Sequence, residues 1–342
     1  MTKKIWIQRV SIVFASFFFL LSTAHAQRVL KAIKSRDALR CGVNENLSGF
    51  SSKNSLNEWN GFEVDFCRAL AAAIFDDPNK VIFTPLKTAD REEALKKKKV
   101  DLVVSHMTAT MRRESSLGVV IPVTTYFDGQ GLLVRKEHGF SSAKELDKKT
   151  ICVVEGTYDK HSIENYFDSN GLSYELKQYD SLNNAFKAYE NNDCIGLTAD
   201  SSMLLAIRMT ASVPEDHAVL PEIISKKPIG PVILHNDWEW FRIVRWTHMA
   251  MLNAEELGVT QDNVQSMLTS KNLSIRQLLG VEDDFGVGIG LSKNWAYQII
   301  KYVGNYSDVF ERNLGEGSPL KLKRGLNALW TKGGLQYGLP IR

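Results

Sequence analysis

The chain has 342 residues, 42 Lys and Arg against 39 Asp and Glu, and 44% hydrophobic residues, a balance that excludes disordered, collagen-like and coiled-coil designs. Lys3, Lys4 and Arg9 are the only charged residues before position 27, so removing residues 1–26 takes the formal charge from +3 to zero, and no cationic surplus is left for a nucleic-acid partner. The remaining 316 of the 342 residues exceed what one core usually holds, which points to two lobes.

The N-terminus is basic through Arg9, apolar from Val10 to Leu21, and ends in Ala24-His25-Ala26. That order predicts an export signal cleaved after Ala26 and a periplasmic, soluble mature protein. The apolar run is too short for a spanning helix, which needs about 20 residues. In an oxidising compartment Cys41, Cys67, Cys152 and Cys194 become candidates for disulfides. Three connectivities are open, and four buried free thiols are the alternative. Pairing within each half, Cys41 with Cys67 and Cys152 with Cys194, would close loops of 26 and 42 residues. Their spacing lacks the C-x-x-C and nearby histidines of a zinc site.

From Leu39 onward strand and helix signals alternate. Leu39 to Val43 reads as a strand, Phe62 to Phe75 as a helix with Phe66, Leu70 and Ala73 on one face, Val81 to Thr84 as a strand, Arg91 to Lys99 as a polar helix, and Val100 to Ser105 as a buried strand. The rhythm restarts with a strand at Thr150 to Val154, a helix at His161 to Asn170, a strand at Ser173 to Tyr179, a helix at Leu182 to Glu190 and a strand at Ile195 to Thr198. Such alternation predicts an α/β fold of parallel βαβ units whose ligands gather at strand carboxyl ends. Two extended stretches, Gln130 to Arg135 and Pro228 to Leu234, predict two crossings between the halves. Beyond His235 the chain reads as helical, with a Trp238-to-Leu252 stripe expected to be core and a second helix at Trp295 to Val303.

Several motifs carry little. Lys96 to Lys99 reads as a solvated helix end. Gly286, Gly288 and Gly290 predict a turn, since no P-loop lysine follows. No H-x-x-x-H, H-E-x-x-H or G-x-S-x-G spacing exists, so neither a metal nor a cofactor is expected. The residues with chemistry follow strand ends. Ser105, Thr108 and Arg113 come after the strand ending at Val104 and suit a carboxylate, because a guanidinium donates two parallel charge-assisted bonds and hydroxyls fill the remaining lone pairs. Glu155-Gly156-Thr157-Tyr158 can present N–H groups at a helix start. Asp200 follows another strand and suits an ammonium. Arg113 and Asp200 together would clamp a zwitterion; by pattern alone each could equally be a surface ion-pair partner.

Gly61-Phe62-Glu63-Val64-Asp65-Phe66, with Leu70, Ala71 and Ile74, resembles the signature of family 3 extracellular solute-binding proteins, the polar amino-acid receptors of ABC importers. Tyr126 to Gly131, Pro221 to Ser225, Asn253 to Gly258 and the closing Gly325 to Tyr337 resemble its general L-amino-acid-binding branch, which also carries a longer helical tail and cysteines like these four. The resemblance implies a two-lobe periplasmic-binding-protein fold of type II with two hinge strands and extra C-terminal helices. It divides the chain into residues 27–130 and 234–342 for the first lobe and 131–233 for the second. The implied function is binding an L-amino acid between the lobes, with broad specificity, and delivery to membrane permease subunits. By position, the resemblance gives Arg113 and Thr108 the α-carboxylate, near the strand-end Ser105, and Asp200 the α-ammonium. The second-lobe loop, usually Gly-Thr-Thr, is Gly156-Thr157-Tyr158, which leaves the backbone donor and changes the side chain at 158. Asn44 and Leu47 stand where receptors for cationic amino acids have an acid and an aromatic. The same architecture also hosts dehydratases of cyclic carboxylates, for which Glu155 and His106 are the candidate acid–base groups.

Overall fold

The computed structural model describes residues 29–342; the expected export segment, residues 1–26, lies outside the described residues. After a helix at Val29–Arg36 the chain forms β1 (Leu39–Val43), a small hairpin of β2 (Ser52–Lys53) and β3 (Trp59–Asn60), the helix Phe62–Phe75, β4 (Val81–Pro85), the helix Arg91–Lys96 and β5 (Leu102–Val104). These three longer strands make a parallel sheet in the order β4-β1-β5. The Phe62–Phe75 helix is apolar and alanine-rich, and eleven of its fourteen residues are buried. Its start needs glycine: Gly61 sits at φ 124, and a Cβ there would lie 2.2 Å from the Phe50 carbonyl oxygen. The helix expected to run to Lys99 stops at Lys96, with Lys98 in the left-handed region.

A second sheet follows. β6 (Val119–Val120) precedes β7 (Tyr126–Arg135), β8 (Lys149–Val154), the helix Asp159–Ser169, β9 (Tyr174–Tyr179), the helix Leu182–Glu190, β10 (Gly196–Asp200), the helix Ser201–Arg208, β11 (His217–Val219), β12 (Ser225–Ile229) and β13 (Ile233–Leu234). The order is β11-β7-β10-β8-β9, with β12 also on β7. β8, β9 and β10 are parallel, as the alternation predicts, but β7 runs antiparallel to β10, β11 and β12. Its direction is set by its entry from the first lobe, so the sheet is mixed. The second crossing divides into β12 and β13, because Gly230 passes so close to the chain at Val123 that a Cβ would stand 2.1 Å from its carbonyl oxygen. β13 pairs with β6, and Val232 exchanges hydrogen bonds with Val103, tying the return to the first sheet.

The first sheet's core takes in Tyr126, Ile229 and Ala206 from the second sheet and its helix, and the rest of the second sheet has clusters of its own. β1, the Phe62–Phe75 helix and the C-terminal helices Trp238–Glu256, Trp295–Tyr302 and Tyr306–Asn313 bury one large cluster that includes Trp240, Ile243, Trp295 and Phe310. The tryptophan stripe is thus packing, as expected, except that Trp238 stays exposed and stacks on Phe241. The second sheet is covered on one side by Phe186, Tyr189 and Leu204 and elsewhere by Ile163, Phe167 and Leu146. The glycine run forms a 3₁₀ turn at Val287–Ile289. Among the described residues no helix is long and apolar enough to cross a membrane.

Both within-half cysteine pairings are present. Cys41 of β1 joins Cys67 of the following helix, and Cys152 of β8 joins Cys194 just before β10, with Cα separations of 6.4 and 5.6 Å. Each crosslink shortens the unfolded chain's freedom without bridging the lobes. Replacing Cys152 and Cys194 together by serine should lower stability by about 2–4 kcal/mol, as loop closure over 42 residues implies; equal denaturant midpoints for variant and parent under oxidising conditions would contradict this.

Candidate functional site

The carboxyl ends of β5 and β10 and the middle of β7 and β12 converge on a dry cluster of charged groups. His106 follows β5 in the left-handed conformation, φ 51, which turns its ring inward from the strand end. Its N–H donates to the Glu63 carboxylate, brought there by the first turn of the Phe62–Phe75 helix. The ring Nε2 lies 3.3 Å from Asp128 of β7, 3.6 Å from Asp200 at the end of β10 and 3.2 Å from the Ser202 hydroxyl. Ser202 in turn donates its hydroxyl hydrogen to Asp128. From β12, Lys227 is inserted between Asp159 and Asp200, donating to Asp159 and lying 3.3 Å from Asp200 Oδ1. Every member of this group is buried or nearly so.

Burial alone would lower the His106 ring, but hydrogen bonding to Asp128 and Glu63 and the nearby Asp200 raise it to about 10. The imidazole is therefore cationic. Nε2 and one oxygen each of Asp128 and Asp200 lie within 4.8 Å of one another, and together with Lys227 these groups form an ion-pair network. Burial pushes the Lys227 ammonium down, and Asp200 and Asp159 more than offset it, leaving a net upward shift. Asp200 behaves differently: burial, then Asp159, raise it to about 6 against the pull of Lys227 and His106. Among the described residues its Oδ1 accepts no hydrogen bond, and its nearest cation is the Lys227 ammonium at 3.3 Å.

The first lobe supplies donors. Arg91, at the start of the Arg91–Lys96 helix, is almost wholly enclosed, and its Nε has no partner. Burial lowers its guanidinium to about 10, Glu63 and Asp200 pulling the other way and Arg113 repelling it. Arg113 is partly buried; its guanidinium donates to the Thr108 carbonyl and lies 3.4 Å from Glu92. Thr110 caps the helix that carries it. The Ser105 hydroxyl is fully buried without a partner.

The other candidates are placed less centrally. Thr157 spends its hydroxyl on the Val154 carbonyl, at 2.7 Å. Tyr158 is 62% exposed and meets His161 edge-on, so its side chain is turned toward solvent. Asn44, at the end of β1, accepts from the Asn46 N–H. Arg91, Glu63, Asp128, Asp159 and Lys227 were not singled out from sequence. Glu63 and Asp128 sit inside two of the stretches on which the resemblance rests, and Lys227 is a charge beside an apolar crossing; Arg91 looked like any polar helix start.

The model for bacterial extracellular solute-binding proteins, family 3, matches residues 39–297. The chain belongs to that family. It is 44% identical over 323 residues to a general L-amino acid-binding periplasmic protein of Rhizobium johnstonii, covering 94% of this chain and 95% of that one. It is 40% identical to a glutamate/glutamine/aspartate/asparagine-binding protein of Rhodobacter capsulatus, over 94% of this chain and 96% of that protein. A solved ABC-transporter periplasmic binding protein from Brucella ovis, with glutathione bound, superposes at a TM-score of 0.90 with 46% identity, covering 92% of this chain and all of that one. An ancestral amino-acid-binding precursor of cyclohexadienyl dehydratase shares the fold at a TM-score of 0.56 and 23% identity. These relatives establish the two-lobe type II architecture for this family 3 member.

Within this binding-protein fold Lys227 neutralises two buried acids at once. Lys227→Met should therefore cost about 3–5 kcal/mol of stability, the toll of stranding buried carboxylates; a loss below 1 kcal/mol in urea denaturation at pH 7 would show that the acids are hydrated.

Proposed function

We infer that this chain is the periplasmic substrate-binding component of an ABC importer, exported with loss of residues 1–26, and that it binds L-amino acids with broad specificity between its lobes. The observation that carries the reading is a charge imbalance. Glu63, Asp128, Asp159 and Asp200 face Arg91, His106 and Lys227, four acids against three bases, and Arg113 beside them is paired with Glu92. Lys227 answers Asp159 and His106 answers Asp128, while Arg91 is drawn to Glu63. Asp200 shares both cations, 3.3 Å from Lys227 and 3.6 Å from His106, with acids that hold each of them more closely. An α-ammonium is the simplest group to complete its counter-charge.

The opposite end of the guest is served by donors. Arg113, Thr108 and the backbone amides after β5 take the α-carboxylate, with the Ser105 hydroxyl nearby, and the Thr157 amide closes from the second lobe. Arg91 adds a second guanidinium to the same wall. The lobes, residues 27–130 with 234–342 and residues 131–233, turn about β7 and β12, and the ligand favours the closed form because only there do both charges find partners. Main-chain recognition supplies most of the affinity, which leaves the side chain loosely selected. The closed form docks on permease subunits. Asn44 in place of an acid fits a receptor not dedicated to cationic side chains. The dehydratase reading has little to stand on: His106 is held by Asp128, Ser202 and Glu63, and Glu155 is exposed.

Calorimetric titration with the twenty amino acids should show binding of several; binding of none of them would refute the reading. Arg113→Ala and Asp200→Asn should each weaken binding by about 2–5 kcal/mol, and a change below threefold in either would remove that residue from its role. Since the ligand ammonium requires ionised Asp200, and that acid titrates near 6, affinity should hold above pH 7 and fall about tenfold per unit below pH 6; a flat profile from pH 7 to 4.5 would assign the ammonium elsewhere.

A further inference from the structure

The strand β7 is held on two sides unevenly. β12 pairs with it from Tyr126 to Gln130, whereas pairing with β10 begins only at Gln130. The backbone groups of residues 125–127 that β12 does not use would face an open sheet edge, where buried and unpaired donors and acceptors are costly. The C-terminal segment fills that edge with side chains. Asn327 acts as a one-residue strand: its Oδ1 accepts from the Phe127 N–H at 2.7 Å and its Nδ2 donates to the Phe127 carbonyl at 3.0 Å. Tyr306 and Gln336 both donate to the Thr125 carbonyl, at 2.9 and 3.1 Å.

The clasp is itself rigidly built. Asn327 and Gln336 are 3% and 2% exposed. The loop between them is closed by the Gln336 N–H to the Ala328 carbonyl and the Trp330 N–H to the Gln336 carbonyl. His248, kept neutral by burial, donates to Gln336 Oε1 and so fixes which end of the amide faces Thr125. Arg324, paired with Glu255, holds the Asn327 carbonyl. All three clasping residues lie beyond Tyr297, where the family match ends.

Between the clasped residue Phe127 and the β10-paired Gln130 stand Asp128 and Gly129. Here, among the described residues, no strand covers the side away from β12: Gly129 donates its N–H to the neighbouring Asp128 carboxylate, a bond that travels with the chain. Asp128 is also the acid that holds His106 and Ser202. We propose that residues 306–336 are a positioning brace for the ligand cleft, in which Asn327, Gln336 and Tyr306 fix the first-lobe end of β7 and confine the lobe-closing bend to Asp128 and Gly129. This rests on the two-lobe ligand-binding reading above and adds to it a role for the C-terminal extension.

Asn327→Asp keeps the size and the acceptor but loses the donor, setting an oxygen against the Phe127 carbonyl. Asn313→Ala is the control, because Asn313 bonds to Asp65 and Val309 within the first lobe and not to β7. In ligand-free protein, Asn327→Asp should speed amide exchange at residues 127–130 at least tenfold and enlarge the radius of gyration in solution scattering, while Asn313→Ala changes neither at a comparable loss in melting temperature. Titration with L-glutamate should be weakened at least tenfold by Asn327→Asp and less than twofold by Asn313→Ala. Exchange and scattering of Asn327→Asp that match the control would overturn the brace, whatever the protein binds. If the wild type binds no standard amino acid, the transport reading falls, and the exchange and scattering still decide the brace. Should Asn327→Asp fail to fold, Gln336→Glu removes the donor to Thr125 and is read in the same way.

Discussion

Seven ionisable groups share a dry interface between two sheets, and their charges do not cancel. Burying a carboxylate without full counter-charge costs several kcal/mol, so a protein that keeps Asp200 enclosed beside Asp159, sharing its cations with other acids, holds that carboxylate at an energetic disadvantage that a further cation relieves. The neighbours explain why the disadvantage settles on Asp200 rather than spreading: Lys227 lies closer to Asp159, and His106 closer to Asp128, than either does to Asp200. On the reading proposed above, a ligand ammonium would supply that cation and the first-lobe arginines would take the carboxylate.

The same cluster joins the lobes mechanically. Glu63 and His106 belong to the first sheet and its helix, Asp159 and Asp200 to the second, and Asp128 and Lys227 to the strands that cross between them. The network therefore spans both sheets and the strands that run between them. β7 is anchored deep in the second sheet by β10 and β11 and at its other end by the C-terminal amides. Between these anchors Asp128 and Gly129 pair with β12 alone, and the Asp128 side chain joins the network.

Much of this was visible in the linear chain. The strand–helix alternation and the apolar face of the Phe62–Phe75 helix follow from local periodicity, and the placement of Ser105, Thr108, Arg113 and Asp200 just past strand ends is a consequence of α/β geometry. Other features were not visible. Nothing local makes β7 antiparallel; its direction comes from where the chain enters the second sheet. Tyr158, attractive as part of a loop motif, is carried into solvent by the turn that starts its helix. Arg91 and Lys227 are ordinary polar residues by sequence and become central only because distant segments enclose them.

The amino-acid order thus determined which segments become strands and helices, which residues terminate them, and a half-by-half grouping of cysteines as one of three open pairings. It did so because these depend on neighbours within a few turns or on the rhythm of apolar positions. The tertiary structure decided which cysteine pairs form, which charges meet, which of them is left over, and how a C-terminal asparagine comes to cap a strand 200 residues earlier. Those outcomes depend on burial and on contacts between remote parts of the chain, where the dielectric and the partners of a group are set by the fold as a whole.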